Sequence, residues 1–209
     1  MIMLLITPIL AYLLGSLPWS VWLGKALKGV DLREQGSGNA GATNAFRVLG
    51  KPIGSVVLIL DMLKGFAAVN LVFLQDEFIA HTEVWMIFRI GLGLMAILGH
   101  VFPVFAGFRG GKGVATMTGI GLALQPFSTL ASMGVYLLTF LLTRISALGS
   151  LMAALSYPIW IIWVFHTEYL SLKLFSLFVV LLVLITHRSN IRRLIQGKEK
   201  SLFSKTGSS

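Results

Sequence analysis

The sequence predicts an all-α integral membrane protein with seven transmembrane helices. Of its 209 residues, 56% are hydrophobic and only 12% are charged, whereas average soluble domains are about 25% charged. The apolar residues form runs of about 20 residues, the length that an α-helix needs to cross a bilayer. A soluble protein with as many apolar runs would expose large apolar patches and aggregate.

Hydropathy and charge divide the chain into seven predicted helices with polar segments between them. The helices are expected over about residues 2–24, 53–74, 84–106, 114–124, 127–143, 147–165 and 171–187. They form one predicted membrane domain, residues 1–200, and a short tail over 201–209 is expected to be flexible.

Several of these helices have a boundary signal in the sequence. The first has no basic segment before it and is longer than the apolar part of a signal peptide, so we expect it to be retained. The second and third are separated by a short acidic loop. The run 114–143 is too long for one span, and we divide it at Gln125-Pro126 because proline disfavours helix at the residue before it. The last two helices are the remaining apolar runs, and a basic tail follows them.

The positive charges predict how these helices are oriented. Fourteen of the 17 Lys and Arg residues fall in segments on the side of the C-terminus, only Lys173 falls on the other side, and Lys64 and Arg89 lie inside helices. Because Lys and Arg collect on the cytoplasmic side of a membrane, we expect a cytoplasmic C-terminus and an external N-terminus. This asymmetry accounts for most of the net charge of +9, so no nucleic-acid partner is expected.

A polar stretch between the first two helices, residues 25–52, contains the sequence GSGNAGATNAFR at 36–47. Its glycines allow backbone amides to crowd around an anion, and its hydroxyl and carboxamide groups add donors. Arg47 can bind a phosphate through two hydrogen bonds. The alternative is an ordinary flexible loop, but a connection of about five residues would suffice for that. We therefore favour an anion site.

A second donor-rich segment is GHVFPVFAGFRGGKG, residues 99–113. It is not a Walker A loop, because Gly rather than Ser or Thr follows Lys112. Its glycines, Arg109 and Lys112 lead into the predicted fourth helix, and anions bind at helix N-termini. Positive-inside anchoring would explain the cations but not the glycines, so this segment alone leaves both interpretations open.

Other polar residues are less specific signals. His100 ends the apolar part of the third helix, where packing or a position at the membrane interface is commoner than catalysis. His187 ends the seventh helix close to Asn190, with the same alternative. Asp61 and Lys64 share one helical face, and a structural ion pair is favoured over a contact with substrate.

Several kinds of catalytic machinery are missing from the sequence. It has no cysteine, no H-x-x-x-x-D acyltransferase motif and no G-x-S-x-G elbow. The segments predicted to be cytoplasmic contain only Asp31, Glu34 and Glu199 as acids, too few for a magnesium cluster. We therefore expect no metal, no other cofactor and no covalent enzyme intermediate.

Three segments together resemble a known family. GSGNAGATNAFR at 36–47, GHVFPVFAGFRGGKGVAT at 99–116 and HRSNIRRLIQGKE at 187–199 are similar to the three cytoplasmic motifs of the bacterial PlsY family, and D-x-x-K-G at 61–65 is also similar to that family. The resemblance implies a seven-helix inner-membrane enzyme whose active site faces the cytoplasm. It also implies transfer of a fatty acyl group from acyl phosphate to the 1-hydroxyl of glycerol 3-phosphate. The products would be lysophosphatidic acid and inorganic phosphate, in the first acylation step of phospholipid synthesis.

The resemblance and the donors described above assign expected roles. The acyl-phosphate group is expected to be held by Ser37, Gly38, Asn39, Thr43, Asn44 and Arg47. Lys112 would neutralise phosphate charge and stabilise the oxyanion of the tetrahedral intermediate. His187 and Asn190 would position glycerol 3-phosphate. The expected catalytic residues are Ser37, Arg47, Lys112, His187 and Asn190. Further expected substrate contacts are His100, Arg109, Gly110, Gly111, Arg144 and Arg193.

The base that takes the hydroxyl proton is left open, because His187 and a phosphate oxygen of the donor are both candidates. The expected partners are acyl phosphate, glycerol 3-phosphate and the lipid bilayer, with the soluble enzyme that forms acyl phosphate as a further candidate. A transporter or channel for phosphate-bearing solutes is the rival class, but the polar motifs cluster on one face. A structural scaffold would leave those motifs unexplained.

Overall fold

The computed structural model describes residues 2–75 and 78–202, and within these ranges the chain is helical with no β-strand. Its helices are α1 (Ile2–Gly15), α2 (Trp19–Lys28), α3 (Ala42–Val48), α4 (Lys51–Asn70), α5 (Glu83–Val101), α6 (Val114–Leu124), α7 (Pro126–Thr143), α8 (Ser146–Ile159), α9 (Leu170–Thr186) and α10 (Arg188–Ile195). The all-α prediction is confirmed. The end of the predicted flexible tail, residues 203–209, lies outside the described residues.

The first predicted helix is divided into two pieces. α1 and α2 are separated by residues 16–18, because Pro18 has no backbone N–H with which to continue α1. Just before this break, a Cβ atom on Gly15 would lie 2.1 Å from the carbonyl oxygen of Ala96. Only glycine lets α1 and α5 approach this closely, as is common between helices in membranes.

The structure tests the predicted number of spans only in part. In the described residues, five segments are long and apolar enough to cross a membrane, and α9 with α10, bent by 66°, would make a sixth. These segments are Ile2–Lys28, Lys51–Leu74, Glu83–Ala106, Pro126–Thr143 and Ser146–Val164. α6 has only 11 residues, about 16 Å of helix against about 30 Å of hydrocarbon. Seven crossings and the side of each terminus therefore stay predictions.

The short helix α6 is held by its neighbours. Cβ atoms on Gly65 and Gly119 would lie 2.3 Å and 1.8 Å from the carbonyl oxygens of Thr116 and Met62, so α6 and α4 pack backbone to backbone. At the far end of α6, the Nη2 atom of Arg89 donates to the carbonyl oxygen of Ala123 at 2.6 Å. α6 thus ends inside the protein with a satisfied carbonyl group.

The predicted break at Gln125-Pro126 is confirmed, because α6 ends at Leu124 and α7 begins at Pro126. Proline is well suited to the first position of a helix, where its missing N–H has no partner to lose. The buried residues of α7 are small and polar, namely Ser128, Thr129 and Ser132. Many of its large apolar side chains are exposed, as expected of a helix in contact with lipid.

The polar stretch between α2 and α4 is folded rather than open. Leu32, Ala45, Leu49 and Val57 form a second, smaller apolar core beneath it. This core fixes α3 against α4 and so places residues 36–47 at one end of the helix bundle. It explains why the segment is much longer than a plain connection.

Candidate active site

The segment GSGNAGATNAFR is organised by the side chain of Asn44, which is 1% exposed. Its Nδ2 atom donates to the carbonyl oxygens of Leu32 and Gln35 at 2.9 and 3.0 Å, and its Oδ1 atom accepts from the amide of Ser37 at 2.9 Å. A Cβ atom on Gly36, whose φ is +61°, would lie 2.3 Å from this Oδ1 atom. The carboxamide of Asn44 is therefore used by the loop, and Asn44 positions Ser37.

Arg33 joins this segment to the glycine-rich turn before α6. Its Nη2 atom lies 2.6 Å from the Oδ2 atom of Asp31, and its Nη1 atom donates to the carbonyl oxygen of Ala106 at 2.7 Å. The guanidinium of Arg33 holds the pKa of the Asp31 carboxyl well below its usual range. Two donor-rich segments that are distant in sequence are thus brought side by side.

The glycine-rich turn folds back onto the end of α5. The amides of Gly110 and Gly111 donate to the carbonyl oxygens of Val101 and His100 at 3.2 and 3.1 Å. These amides are therefore engaged within the protein, whereas the sequence suggested that they contact a substrate. Lys112, at the end of the turn, lines a cavity together with the first residues of α6.

One cavity of about 560 Å³ is lined by residues of the 36–47 segment and of α4, α6, α7, α8, α9 and α10. Its polar part includes Ser37, Asn39, Thr43, Arg47, Lys112, His187, Asn190, Arg193 and Glu199. Its apolar part includes Met117, Met133, Leu137, Ala153, Ala154, Phe175 and Val179. A compartment rich in donors and cations is thus continuous with a compartment suited to a hydrocarbon chain.

A chain of hydrogen bonds spans the polar part. Lys112 donates from Nζ to the Oδ1 atom of Asn190, and the Nδ2 atom of Asn190 donates to the Oε1 atom of Glu199 at 2.7 Å. The Nε atom of Arg193 donates to the Oε2 atom of Glu199 at 2.6 Å. Because the side chain of Glu199 is only 4% exposed, its charge requires compensation, and these neighbours provide it.

Positive charge dominates the polar part. Burial lowers the pKa of Lys112, Glu199 opposes this shift, and the nearby Arg193 and Arg47 add to it, which leaves the pKa at about 8. Burial also lowers the pKa of Arg47, but a guanidinium stays protonated in proteins. Arg47, Lys112 and Arg193 therefore surround the carboxylate of Glu199, an arrangement that favours binding of a further anion.

His187 lies at the bend between α9 and α10 and is 3% exposed. Its Nδ1 atom is 3.0 Å from the carbonyl oxygen of Val183. A carbonyl oxygen can only accept, so this contact favours the tautomer with hydrogen on Nδ1 and a lone pair on Nε2. The ring is thereby prepared to accept a proton or a hydrogen bond at Nε2.

The structure brings most of the predicted site residues together and leaves some apart. The cavity is lined by Ser37, Asn39, Thr43, Asn44, Arg47, His100, Lys112, His187, Asn190 and Arg193. The predicted residues that do not line it are Gly38, Arg109, Gly110, Gly111 and Arg144. Arg109 and Arg144 are exposed, and the carbonyl oxygen of Arg144 accepts a hydrogen bond from the amide of Leu202 at 3.0 Å.

The ion pair favoured from the sequence is confirmed. The Nζ atom of Lys64 lies 2.7 Å from the Oδ1 atom of Asp61 and donates to the carbonyl oxygen of Leu17 at 3.0 Å. The Nδ1 atom of His100 is 3.8 Å from the same Oδ1 atom. This buried cluster packs behind the glycine-rich turn, and its members Asp61 and His100 also line the cavity.

Sequence reasoning missed three side chains of the polar part. Glu199 was counted only as an acid, and Ser146 and Tyr136 were not singled out. The Oγ atom of Ser146 lies 3.2 Å from the Oγ1 atom of Thr43 and 3.0 Å from the hydroxyl of Tyr136. A lone acid within a strongly basic tail was the available signal for Glu199. Nothing in the sequence distinguished Ser146 from other serines in helices.

The donor set suits an anion. In the described part of the chain, no group of three or more His, Asp or Glu side chains is placed to hold a metal ion. The cavity offers ammonium, guanidinium, hydroxyl and carboxamide groups, which bind phosphate or carboxylate oxygens.

Comparison with known proteins covers almost the whole chain. Residues 5–197 match the family model described as glycerol-3-phosphate acyltransferase. The chain belongs to this family. The glycerol-3-phosphate acyltransferase of Chlorobium limicola is 42% identical, with 95% of this chain and 96% of the relative aligned. One from Chlorobium phaeobacteroides is 40% identical, with 92% and 94% aligned.

Two solved structures of PlsY, an integral membrane glycerol 3-phosphate acyltransferase, share the fold. One is its glycerol 3-phosphate form, with a TM-score of 0.82 and 40% identity. The other is its lysophosphatidic acid form, with a TM-score of 0.80 and 39% identity. Each comparison covers 95% of this chain and 94% of the other. The predicted PlsY family and integral membrane fold are confirmed, and all the predicted site residues of this acyltransferase family member lie within the matched range.

Proposed function

We propose that this protein transfers a fatty acyl group from acyl phosphate to the 1-hydroxyl of glycerol 3-phosphate, releasing inorganic phosphate and lysophosphatidic acid. One observation carries the proposal: a single cavity joins the cations Arg47, Lys112 and Arg193 to an apolar compartment. Both substrates carry a phosphate and one carries a hydrocarbon chain, so this combination fits them together. The relatives' shared name and the two ligand forms of PlsY support the acceptor and the product.

The donor's phosphate is held by the 36–47 segment in this proposal. Ser37, Asn39 and Thr43 supply hydrogen-bond donors. The guanidinium of Arg47 can donate hydrogen bonds to two phosphate oxygens. Gly38, with φ of +70°, gives the loop a turn that other residues rarely adopt. Asn44 contributes by holding the amide of Ser37 in place.

Glycerol 3-phosphate lies beside the donor's phosphate, near α10. Asn190 and His187 orient its glycerol part, and Arg193 with Lys112 faces its phosphate. Lys112 also lies where negative charge develops on the carbonyl oxygen during acyl transfer. An ammonium group already fixed by Asn190 needs little reorganisation at that moment.

The chemical step needs no enzyme nucleophile. The 1-hydroxyl oxygen bonds to the acyl carbon, and the bond from that carbon to the phosphate oxygen breaks, with the phosphate leaving with the electron pair. The hydroxyl proton passes either to Nε2 of His187 or to a phosphate oxygen of the donor. The donor is a mixed anhydride, so orientation and charge stabilisation are most of what the protein must supply.

We also propose that the protein resides in a bacterial inner membrane as a multi-pass protein with the cavity's polar part facing the cytoplasm. The concentration of Lys and Arg on the side of the donor-rich segments supports this orientation. Both substrates are then delivered from the cytoplasm or the inner leaflet. The basic face is also a suitable docking surface for the soluble enzyme that forms acyl phosphate.

The test uses the purified protein in detergent with hexadecanoyl phosphate and glycerol 3-phosphate. Equal amounts of inorganic phosphate and lysophosphatidic acid should appear, and neither should form when one substrate is omitted. Hexadecanoyl-coenzyme A in place of acyl phosphate should give no product. Product from the coenzyme A ester alone would overturn the proposed donor, and no product from either would favour the transporter class.

A further inference from the structure

The apolar part of the cavity is bordered by α4 and α7. Leu58 and Met62 of α4 line one side, and Met133, Gly134 and Leu137 of α7 line the other. Gly134 and Leu137 are exposed, so the cavity reaches the outer, apolar surface of the protein at this point. We call the gap framed by these five residues the lateral opening.

Gly134 is a helix-interior glycine with no packing partner. In the described helices, glycines such as Gly65 and Gly119 allow close backbone contacts, whereas a Cβ atom on Gly134 or Gly91 would meet nothing within 4 Å. Glycine weakens a helix relative to alanine, so an unpacked glycine calls for another reason. Gly91 does not line the cavity, and Gly134 lies at its rim.

The position of the charges makes this gap the favourable path for a hydrocarbon chain. A chain arriving through the polar part would pass Lys112, Arg193 and Glu199, and contact with it would strip water from these groups. A chain arriving through the lateral opening stays in apolar surroundings throughout. Its head group, left at the membrane surface, then meets the polar part of the same cavity.

We propose that the lateral opening admits the acyl chain of the donor directly from the bilayer, and that Gly134 keeps the opening wide enough for a long chain. This inference rests on the proposed function and adds a specificity-determining residue to it. Because a Cβ atom at position 134 meets nothing within 4 Å, we expect a larger side chain there to narrow the opening while leaving the fold intact.

The first test compares Gly134→Leu and Gly134→Trp with the matched variants Gly91→Leu and Gly91→Trp. Each is assayed with hexadecanoyl phosphate and with butanoyl phosphate, whose chain we expect to be too short to reach Gly134. Each methylene group lost from apolar contact should lower kcat/KM about fourfold. For Gly134→Trp we expect kcat/KM to fall at least about 50-fold with hexadecanoyl phosphate and less than twofold with butanoyl phosphate.

The unchanged butanoyl rate shows that the variant is folded. An equal loss with both donors, or Gly134 variants that behave like the Gly91 variants, would overturn the inference. If the wild-type protein uses neither acyl phosphate, the proposed function itself fails. The two failures are therefore distinguishable.

A second test avoids any folding problem, because the chain contains no cysteine. Gly134→Cys is folded first and then modified with alkyl methanethiosulfonates of increasing length. Turnover of hexadecanoyl phosphate should fall as the attached alkyl group grows and return when the disulfide is reduced. Gly91→Cys treated in the same way should keep its activity. Full activity of the modified Gly134→Cys protein would overturn the inference.

Discussion

Lys112 and Asn190 are joined by a hydrogen bond from Nζ to Oδ1, which links the glycine-rich turn before α6 to α10. Because the Nδ2 atom of the same carboxamide donates to Glu199, the oxygen of Asn190 is fixed toward the ammonium group. Lys112 is therefore held in one position before any substrate arrives.

Replacing Lys112 with alanine should lower kcat about 10²–10³-fold, the usual effect of losing one donor to a developing oxyanion. KM for glycerol 3-phosphate should rise much less. Steady-state kinetics with both substrates measure this division. Arg109→Ala is the matched control, since Arg109 is exposed and does not line the cavity. A variant of Lys112 that changes KM alone would contradict the assignment.

The pKa of Lys112, lowered to about 8 by burial, predicts an alkaline limit to activity. Lysine loses its charge as pH rises through its pKa, so kcat/KM, which reports the free enzyme, should fall above about pH 8. Bound phosphate groups favour the charged form, so kcat should fall only at higher pH. Measuring kcat and kcat/KM from pH 6 to 10 tests both expected decreases.

Glu199 provides the check on this pH dependence. Its carboxylate favours the charged form of Lys112 and raises its pKa, so Glu199→Gln should move the fall in kcat/KM to lower pH. Arg188→Gln changes a charge outside the cavity and should not change the pH at which kcat/KM falls. If kcat/KM depends on pH identically in Glu199→Gln and the wild type, a group other than Lys112 causes the fall at high pH.

Asn44→Ala should destabilise the protein by about 1–3 kcal/mol for each buried backbone group that it leaves without a partner. The melting temperature in detergent and proteolysis within residues 31–41 would measure the loss. Asn70→Ala is the control, because the hydrogen bond from its side chain to the carbonyl oxygen of Phe66 is exposed. If both variants melt alike, the three contacts of Asn44 do not organise the loop.

The buried pair of Asp61 and Lys64 predicts a non-additive result. Asp61→Ala or Lys64→Ala alone leaves an uncompensated buried charge and should cost about 3–5 kcal/mol. The double variant Asp61→Leu/Lys64→Met should be more stable than either single one. Unfolding of all the variants under one set of conditions gives the coupling energy. Additive losses would mean that the pair is not coupled.

His187→Ala distinguishes the two candidates for the base. If Nε2 of His187 takes the hydroxyl proton, turnover should be almost abolished while glycerol 3-phosphate still binds. A donor phosphate acting as base would leave a substantial residual rate. Single-turnover kinetics and a direct binding measurement separate these outcomes. His81→Ala, far along the chain and outside the cavity, serves as the control.

The helix boundaries could be predicted from the sequence because they depend on residues that act locally. Pro126 ends one helix and begins another through its own ring, and the cations around α2 and α10 marked polar segments without reference to partners. The pairing of Asp61 with Lys64 was also foreseeable, since three residues along a helix bring two side chains together. These features depend on short stretches of chain, which is why the sequence predicted them.

Which hydrogen-bond donors remain free for a ligand could not be predicted in the same way. Gly110 and Gly111 looked free to bind an anion, but their amides meet the end of α5, a contact that only the folded turn creates. Asn44 looked like a ligand and instead holds its own loop. The contact of Ser146 with Thr43 joins helices that are distant in sequence. Composition indicates how many donors a segment has, but packing decides which of them remain free.

The short helix α6 has a consequence for how the protein is made. The 11 residues of α6 are too few to be recognised as a membrane span by hydrophobicity alone. We therefore expect that α6 is not retained in the bilayer by its own hydrophobicity during insertion. Its stable place depends on α4 and α5, which are synthesised earlier and offer the glycine contacts and Arg89. The order of synthesis, N-terminal helices first, thus matches the order in which this helix needs its neighbours.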